Sequence, residues 1–344
     1  MKRQFSLFIS EWLYGESGYY SRFKKIGKEG DFYTAVSTTP FFGGAIAKRV
    51  LSVIESGFLS KNCTIVEVGA HQGYLLADIV QFIYALSPNL LKTIRFAVIE
   101  PQEEILKEQK RYLKNSFGDD VNFSFFKSFE EVELKEAFIV ANEIFDAFPC
   151  EVIKDESMLF VEDFDFNFYK QTKEVEKLSK RYGIKRGEVA IGYEKFAKKL
   201  ANKIEKFEFL AFDYGELEHR GEYSLRVYDA HKVYPFFSLT KFAEDKELKK
   251  SGVSIDKLYK RSDITYDVFF THLIDAFKNA GVKKESYKTQ MSALVEFGII
   301  DLLEILKEMK GERAYLNELN RVKILIDPTF MGERFKSVIF RKDI

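Results

Sequence analysis

The sequence predicts an α/β fold, a parallel sheet flanked by helices, and three observations carry that expectation. Short β-branched or apolar runs alternate with helical patterns along much of the 344 residues. The first such run, Thr64–Val68, passes at once into a turn holding Gly69 and Gly73, and then into a helical pattern. The next run, Arg95–Glu100, closes on an acid. In open parallel sheets ligands bind beyond the carboxyl ends of the strands, so the glycine turn and the acid belong to one crevice.

Taken in order, residues 1–30 are polar and aromatic, with a cluster of Gly15, Gly18, Tyr19 and Tyr20 and no clean periodicity. Residues 31–44 read as a loop ending in Gly43 and Gly44. Residues 44–58 form a helical pattern, with Ile46, Val50, Val53 and Ile54 on one face. After Thr64–Val68 come a helix over Leu75–Leu86, the strand Arg95–Glu100 and, behind Pro101, a charged helix to about Leu113. Ala137–Asn142 is the third strand. Strand-like pieces around Val152 and Leu159–Val161 predict a hairpin insertion. A Lys- and Glu-rich helix near 192–206 leads to a fourth strand, Phe207–Asp213. Residues 216–262 read as a long polar and aromatic connection. Helices over Asp267–Asn279 and Met291–Met309, a strand between them after Gly281, and a last strand Phe335–Phe340 complete the chain. The expected organisation is an N-terminal segment with a lid loop (1–43) and a core (44–149 and 192–215). An insertion (150–191), a connection (216–266) and a C-terminal part of the core with inserted helices (267–344) make up the rest.

Composition narrows the function. The chain has 53 basic and 53 acidic residues, and its formal net charge is zero. A non-specific nucleic-acid binder carries a basic excess, so no nucleic-acid partner is expected. No apolar run approaches the roughly 18–20 residues of a membrane span, so no membrane insertion is expected. The opening MKRQFSLFISEWL is broken by Ser6, Ser10 and Glu11 and reads against a signal peptide. It is not the Arg- and Ser-rich, acid-poor pattern of a transit peptide either, and a bacterial cytoplasmic protein is the expectation. Cys63 and Cys150 sit in apolar stretches and read as buried thiols in a reducing compartment. Four histidines and two cysteines without close spacing predict no metal site. The 35 phenylalanines read as core and codon bias, with Phe32, Phe41 and Phe42 beside the lid loop and Phe145 and Phe148 beside an acidic motif.

The chemistry concentrates in three pieces. The first is Ile65-Val66-Glu67-Val68-Gly69-Ala70-His71-Gln72-Gly73-Tyr74. Gly69 permits the tight turn and Gly73 a close approach of the helix start, whose amides favour polar or anionic groups. A nicotinamide fingerprint would carry a glycine where His71 stands and an acid nearer in sequence. The Glu67-x-Gly69 opening instead resembles the first motif of class I methyltransferases, which bind S-adenosylmethionine (SAM). The second piece is Glu100, which either accepts hydrogen bonds from ribose hydroxyls or starts the helix after Pro101. The third is Ala141-Asn142-Glu143-Ile144-Phe145-Asp146-Ala147-Phe148-Pro149. Here Asn142 could contact a cofactor, and Glu143 and Asp146 could hold a cationic group. Alternatively Asn142 caps a helix and Asp146 sits in its first turn.

These pieces lie in an order that resembles the MidA-like SAM-dependent methyltransferase family, from about Gly18 to the C-terminus. The resemblance runs through Gly18-Tyr19-Tyr20, Gly30-Asp31-Phe32-Tyr33-Thr34, Pro40, Phe42-Gly43, Glu67-Val68-Gly69 and Glu100. It continues through Ala141–Ala147, Phe212-Asp213-Tyr214-Gly215, Leu225-Arg226, His231, Asp263-Ile264-Thr265, Thr289-Gln290 and Met331–Lys336. It implies a class I (Rossmann-like) fold with a Gly-Asp-Phe lid, and Asp31 and Thr34 lining the cofactor pocket, although Asp31 also suits a turn. It places Asp213 and Tyr214 at a strand end on the substrate side, where an ordinary strand end is the alternative. His231 and Gln290 read as lone structural hydrogen-bonders. The family includes the mitochondrial complex I assembly factor that methylates an arginine. The implied activity is therefore methyl transfer from SAM to an arginine of a protein, a respiratory NADH dehydrogenase subunit or its equivalent. Glu143 and Asp146 are the first candidate acids and Glu188 a third. The family's glycine loop departs here to Ala70, His71, Gln72 and Tyr74, and its Pro-Glu to Val36-Ser37. If position 71 needs a positive φ, His71 carries strain of roughly 1–3 kcal/mol. A non-catalytic assembly factor with the inherited fold, and a methyltransferase of another substrate, are the competing readings.

Overall fold

A computed structural model describes residues 2–21, 34–242 and 253–344. Residues 22–33, with Asp31 of the expected lid, lie outside the described residues. The chain forms two compact units, one from residues 33–143, 197–214 and 277–344, the other from 1–32, 144–196 and 215–276.

The first unit carries a seven-membered mixed sheet. Its strands are β1 (Thr64–Val68), β2 (Arg95–Ile99), β3 (Phe123–Phe126), β4 (Leu134–Asn142), β5 (Ile204–Glu216), β6 (Lys283–Thr289) and β7 (Phe335–Lys342). Their order is β6-β7-β5-β4-β1-β2-β3. β1 to β5 pair in parallel, while β7 runs antiparallel to both β5 and β6. The chain moves outward from β1 to β3 and then returns to place β4 on the other side of β1. The strand order reverses between β1 and β4, and in such a sheet the ligand crevice lies beyond the carboxyl ends of these two strands. β1 is buried at all five positions, as a parallel strand covered on both faces must be. Phe96 and Val98, Phe138 and Val140, and Leu210 and Phe212 share one face and join the main core. Phe209 and Phe340 meet Phe277 with ring centroids 5.3 and 3.9 Å away.

Helices α1 (Phe41–Glu55), α2 (Tyr74–Leu86), α3 (Glu103–Phe117), α4 (Gln290–Glu296), α5 (Ile299–Lys310) and α6 (Glu312–Ile326) belong to this unit, as do the short helix Ala35–Thr38 and most of Tyr193–Lys203. Gly43 and Gly44, read above as the end of a loop, lie inside α1. Their role is close packing: a Cβ on Gly43 would come 2.5 Å from Asp78 Cβ, and one on Gly44 2.7 Å from the Phe82 ring. The single helix expected over Met291–Met309 is broken in two at Gly298, which takes φ 86°. Strand β3 and helix α6 were not legible. β3 is a half-buried edge strand of Phe and Ser without alternation, and α6 has only Val322 and Leu325 buried.

The second unit is antiparallel. Ser157–Glu162 pairs with Cys150–Lys154, Arg3–Gln4 and Asp165–Lys170, and Cys150–Lys154 pairs with Arg186–Ala190. The expected hairpin is thus the centre of a larger sheet. Residues 216–262, read as a plain connection, contain the hairpin Arg226–Asp229 and Lys232–Pro235, joined by Asp263–Thr265. Helix Phe5–Tyr14 buries Phe5, Phe8, Ile9, Trp12 and Leu13. Glu151 accepts the Ser6 hydroxyl at its start, and the Trp12 indole N–H donates to the Ser262 carbonyl at 2.7 Å. Both cysteines are buried free thiols, as read from sequence. Among the described residues no helix is long and apolar enough to cross a membrane.

Candidate functional site

The carboxyl ends of the parallel strands β1 to β5 lie in one row, and backbone hydrogen bonds tie neighbours along it. Gly69 N–H donates to the Ile99 carbonyl at 3.0 Å, Glu100 to Phe126 at 2.9 Å and Glu143 to Phe212 at 2.8 Å. Every predicted residue of the first unit except Thr34 stands on this row or in the turn above β1. Thr34 instead caps the short helix Ala35–Thr38, where its hydroxyl accepts the Ser37 N–H.

The turn after β1 is left-handed at Gly69 (φ 69°), His71 (φ 39°) and Gly73 (φ 77°). Gly73 is the N-cap of α2, and its conformation explains the glycine. The nearest protein neighbours of an added Cβ would lie at 3.7 Å, ordinary contact, so packing within the protein does not by itself require a glycine here. Glu67 does not point along the strand row. Its Oε2 accepts the Leu76 N–H at 3.1 Å and so braces the first turn of α2 against β1. Burial pushes Glu67 up to about 8 and lowers His71 to about 4, leaving the imidazole neutral.

Glu100 is buried at the end of β2, and Oε1 accepts the Gln102 N–H at 3.0 Å. Burial raises its pKa to about 7, against the opposing pull of Gln102 and Gln109. Gln109 is a residue that sequence reasoning missed. It is fully buried on α3, and its amide donates to the His71 carbonyl at 2.8 Å. The available signal was a lone polar side chain on the apolar stripe Ile105, Leu106, Gln109, Leu113. Asp78 on α2 was missed too, and burial raises it to about 7.

At the end of β4, Asn142 donates its amide to Glu143 Oε1 at 2.9 Å. It caps no helix, since the turn Phe145–Ala147 that follows starts from Ile144. Glu143 holds φ 52°, a costly backbone for a non-glycine residue. Across the register, Phe212 faces Asn142, and Asp213 and Tyr214 follow at the end of β5. Asp213 is fully buried and accepts the Tyr214 N–H, while the Arg334 guanidinium lies 5.5 Å from the centre of the Tyr214 ring. In the second unit, Asp146 is buried, and Glu188 is wholly engaged. The Glu188 carboxylate accepts the Ser224 N–H and hydroxyl and the Leu225 N–H at 2.9–3.1 Å. Glu188 is thereby a structural tether for the segment around Ser224.

Residues 45–288 match the family model of the S-adenosyl-L-methionine-dependent methyltransferases. The chain belongs to this family. It is 22% identical to the protein arginine methyltransferase NDUFAF7 homologue, mitochondrial, of Caenorhabditis elegans, over 93% of this chain and 78% of that protein. Against the Bos taurus protein arginine methyltransferase NDUFAF7 it is 25% identical, over 38% of this chain and 34% of that protein. Its fold superposes on a COG1565 superfamily member from Burkholderia thailandensis, solved with S-adenosyl-homocysteine. The TM-score is 0.80 and the identity 21%, covering 99% of this chain and 88% of that one.

The cofactor is SAM, and the strand-end row fits it. Among the described residues, Asn142 Oδ1 and Gln109 Oε1 are buried without a hydrogen-bond partner. Buried acceptors of that kind call for a ligand that brings donors. SAM offers ribose hydroxyls and an ammonium.

Proposed function

We propose that this methyltransferase acts on an arginine side chain of a protein, such as a respiratory NADH dehydrogenase subunit. The observation that carries the reading is Glu143, an acid held by its strained backbone and by Asn142 at the end of β4. It shares the strand-end row with the glycine turn and Glu100. The arginine methyltransferase names of the two relatives support the substrate class. In this reading Glu100 accepts the ribose hydroxyls, and the Gly69–Gly73 turn and Asn142 Oδ1 hold the amino-acid end, with Glu67 bracing the turn. Thr34 and Asp31 belong to the same pocket by resemblance alone, and Asp213 and Tyr214 to its substrate side.

When bound, SAM supplies a methyl group already activated by a positive sulfur. The chain has to orient the acceptor nitrogen and exclude water. A guanidinium is protonated at neutral pH and must lose a proton as its nitrogen is methylated. Glu143 binds the fork through two charge-assisted hydrogen bonds and takes that proton on a carboxylate oxygen. Asn142 fixes the rotamer that makes this possible. Asp146, three residues along the chain, is the second acid on the strength of the sequence alone.

Transfer of a radiolabelled methyl group to a respiratory NADH dehydrogenase subunit is the test. The wild type should label it. Glu143→Gln should lose roughly a hundredfold or more in rate, the usual weight of a positioned acid or base. Full activity in both Glu143→Gln and Asp146→Asn would overturn the acid assignment. A second reading, an assembly factor that keeps the fold without catalysis, is favoured by one observation, His71 at φ 39°. Label transfer by His71→Gly and none by the wild type would decide for it.

A further inference from the structure

In the second unit, the end of helix Lys173–Tyr182, the start of strand Arg186–Ala190 and the segment after β5 enclose an open cleft of about 580 Å³. Its floor is aromatic. The Phe269 ring stands edge-on to Tyr182 at 5.2 Å and to His219 at 5.5 Å. Leu217 adds an exposed aliphatic side chain. The polar groups of this floor are already spoken for. Tyr182 donates to Asp275 at 3.1 Å, with Arg181 on the same carboxylate oxygen, and the Thr271 hydroxyl donates to the Leu217 carbonyl at 2.6 Å. His219 meets the Glu188 carbonyl through Nε2 at 3.3 Å and accepts the Gly221 N–H on Nδ1 at 3.1 Å. Its ring is therefore a neutral wall with no free nitrogen for acid–base work.

The charges on the rim are different. Lys185 and Arg186 are both exposed, and among the described residues neither forms an ion pair; Arg186 only lies over the Tyr223 ring at 5.8 Å. Glu218 is the one acid lining the cleft, so two cations against one carboxylate leave the rim positive. An apolar floor with unpaired cations above it, and no nucleophile, is a binding surface. A small ligand would stay largely exposed here, whereas bound small molecules usually bury most of their surface.

We propose that this cleft docks an acidic segment of the protein substrate, seating one aromatic or large aliphatic side chain on Phe269 and flanking carboxylates on Lys185 and Arg186. The proposal rests on the protein-substrate reading above. It supplies what a guanidinium alone cannot, a way to tell one protein's arginines from another's.

The test uses the full chain without methyl donor and labelled, arginine-free short peptides with one Phe, Tyr or Leu between Asp and Glu residues. Fluorescence anisotropy should show saturable binding that weakens as salt rises. The double variant Lys185→Glu/Arg186→Glu and the single variant Leu217→Asp should each lose about tenfold or more in affinity. Control peptides with serine for the anchor or lysine for the acids should not bind, and calorimetric affinity for S-adenosyl-homocysteine should be unchanged throughout. Equal binding by wild type and variants, preference for the lysine peptide, or no binding of any acidic peptide overturns the proposal. Because the peptides hold no arginine, failure of methyl transfer leaves this result standing, and failure of docking leaves the transfer assay untouched.

Discussion

At Glu100, burial and the proposed ribose contact pull on one proton in opposite directions. Burial holds the carboxyl near 7, while accepting ribose hydroxyls needs the carboxylate. Below that pH the free site carries a proton that binding must expel, so affinity for S-adenosyl-homocysteine should fall as pH drops from about 8 to 6. The other groups at this turn are Glu67 near 8, Asp78 near 7 and His71 near 4. Glu100→Gln separates them: it should weaken binding about tenfold and flatten the pH dependence, measured by calorimetry. A slope that survives the substitution belongs to Glu67 or Asp78. Glu100 and Asn142 were legible in sequence because each ends an apolar run whose geometry is fixed by the strand. Gln109 was not, because it reaches the turn from a helix that otherwise reads as charged and solvated. Glu67 belongs to the motif read from sequence, and the structure adds that one of its carboxylate oxygens accepts the Leu76 N–H.

The elements were read best where burial is complete. β1 came out at its observed bounds and α2 within one residue, since β-branched runs and 3.6-residue periodicity report the two-sided core directly. Half-buried elements such as β3 and α6 lack that contrast. One element-scale bond that no pattern announces is Glu208 on β5. Fully buried, it accepts Arg49 of α1 at 2.7 and 2.8 Å and Arg341 of β7 at 2.7 Å. Removing the acid leaves two partly buried guanidiniums without an acceptor. Glu208→Ala should cost about 3 kcal/mol, read as a lower urea midpoint by circular dichroism. Glu208→Gln, which keeps one acceptor, should cost less.

For the molecule as a whole, zero net charge means that no net charge attracts or repels partners at long range. In the proposed reading, selectivity then rests on local charge, at the strand-end acids and the Lys185–Arg186 rim. The same balance predicts a solubility minimum close to neutral pH that eases with added salt. Light scattering from pH 5 to 9 checks this, and a minimum well away from neutrality would mean that buried groups have shifted the balance. The charge tally was plain in the sequence; that residues 1–32, 144–196 and 215–276 form one compact unit was not, because these segments lie far apart along the chain.

The buried indole at the N-terminus has a practical consequence. Trp12 is the chain's single tryptophan, and it belongs to the antiparallel unit. Tryptophan emission is therefore an optical reporter for that unit alone, while the unit holding the parallel sheet is dark at those wavelengths. A shift in the emission maximum on heating, set beside the far-ultraviolet signal of the whole backbone, assigns each step of the melt to one unit. The indole's hydrogen bond to the Ser262 carbonyl makes its environment change as soon as that contact opens.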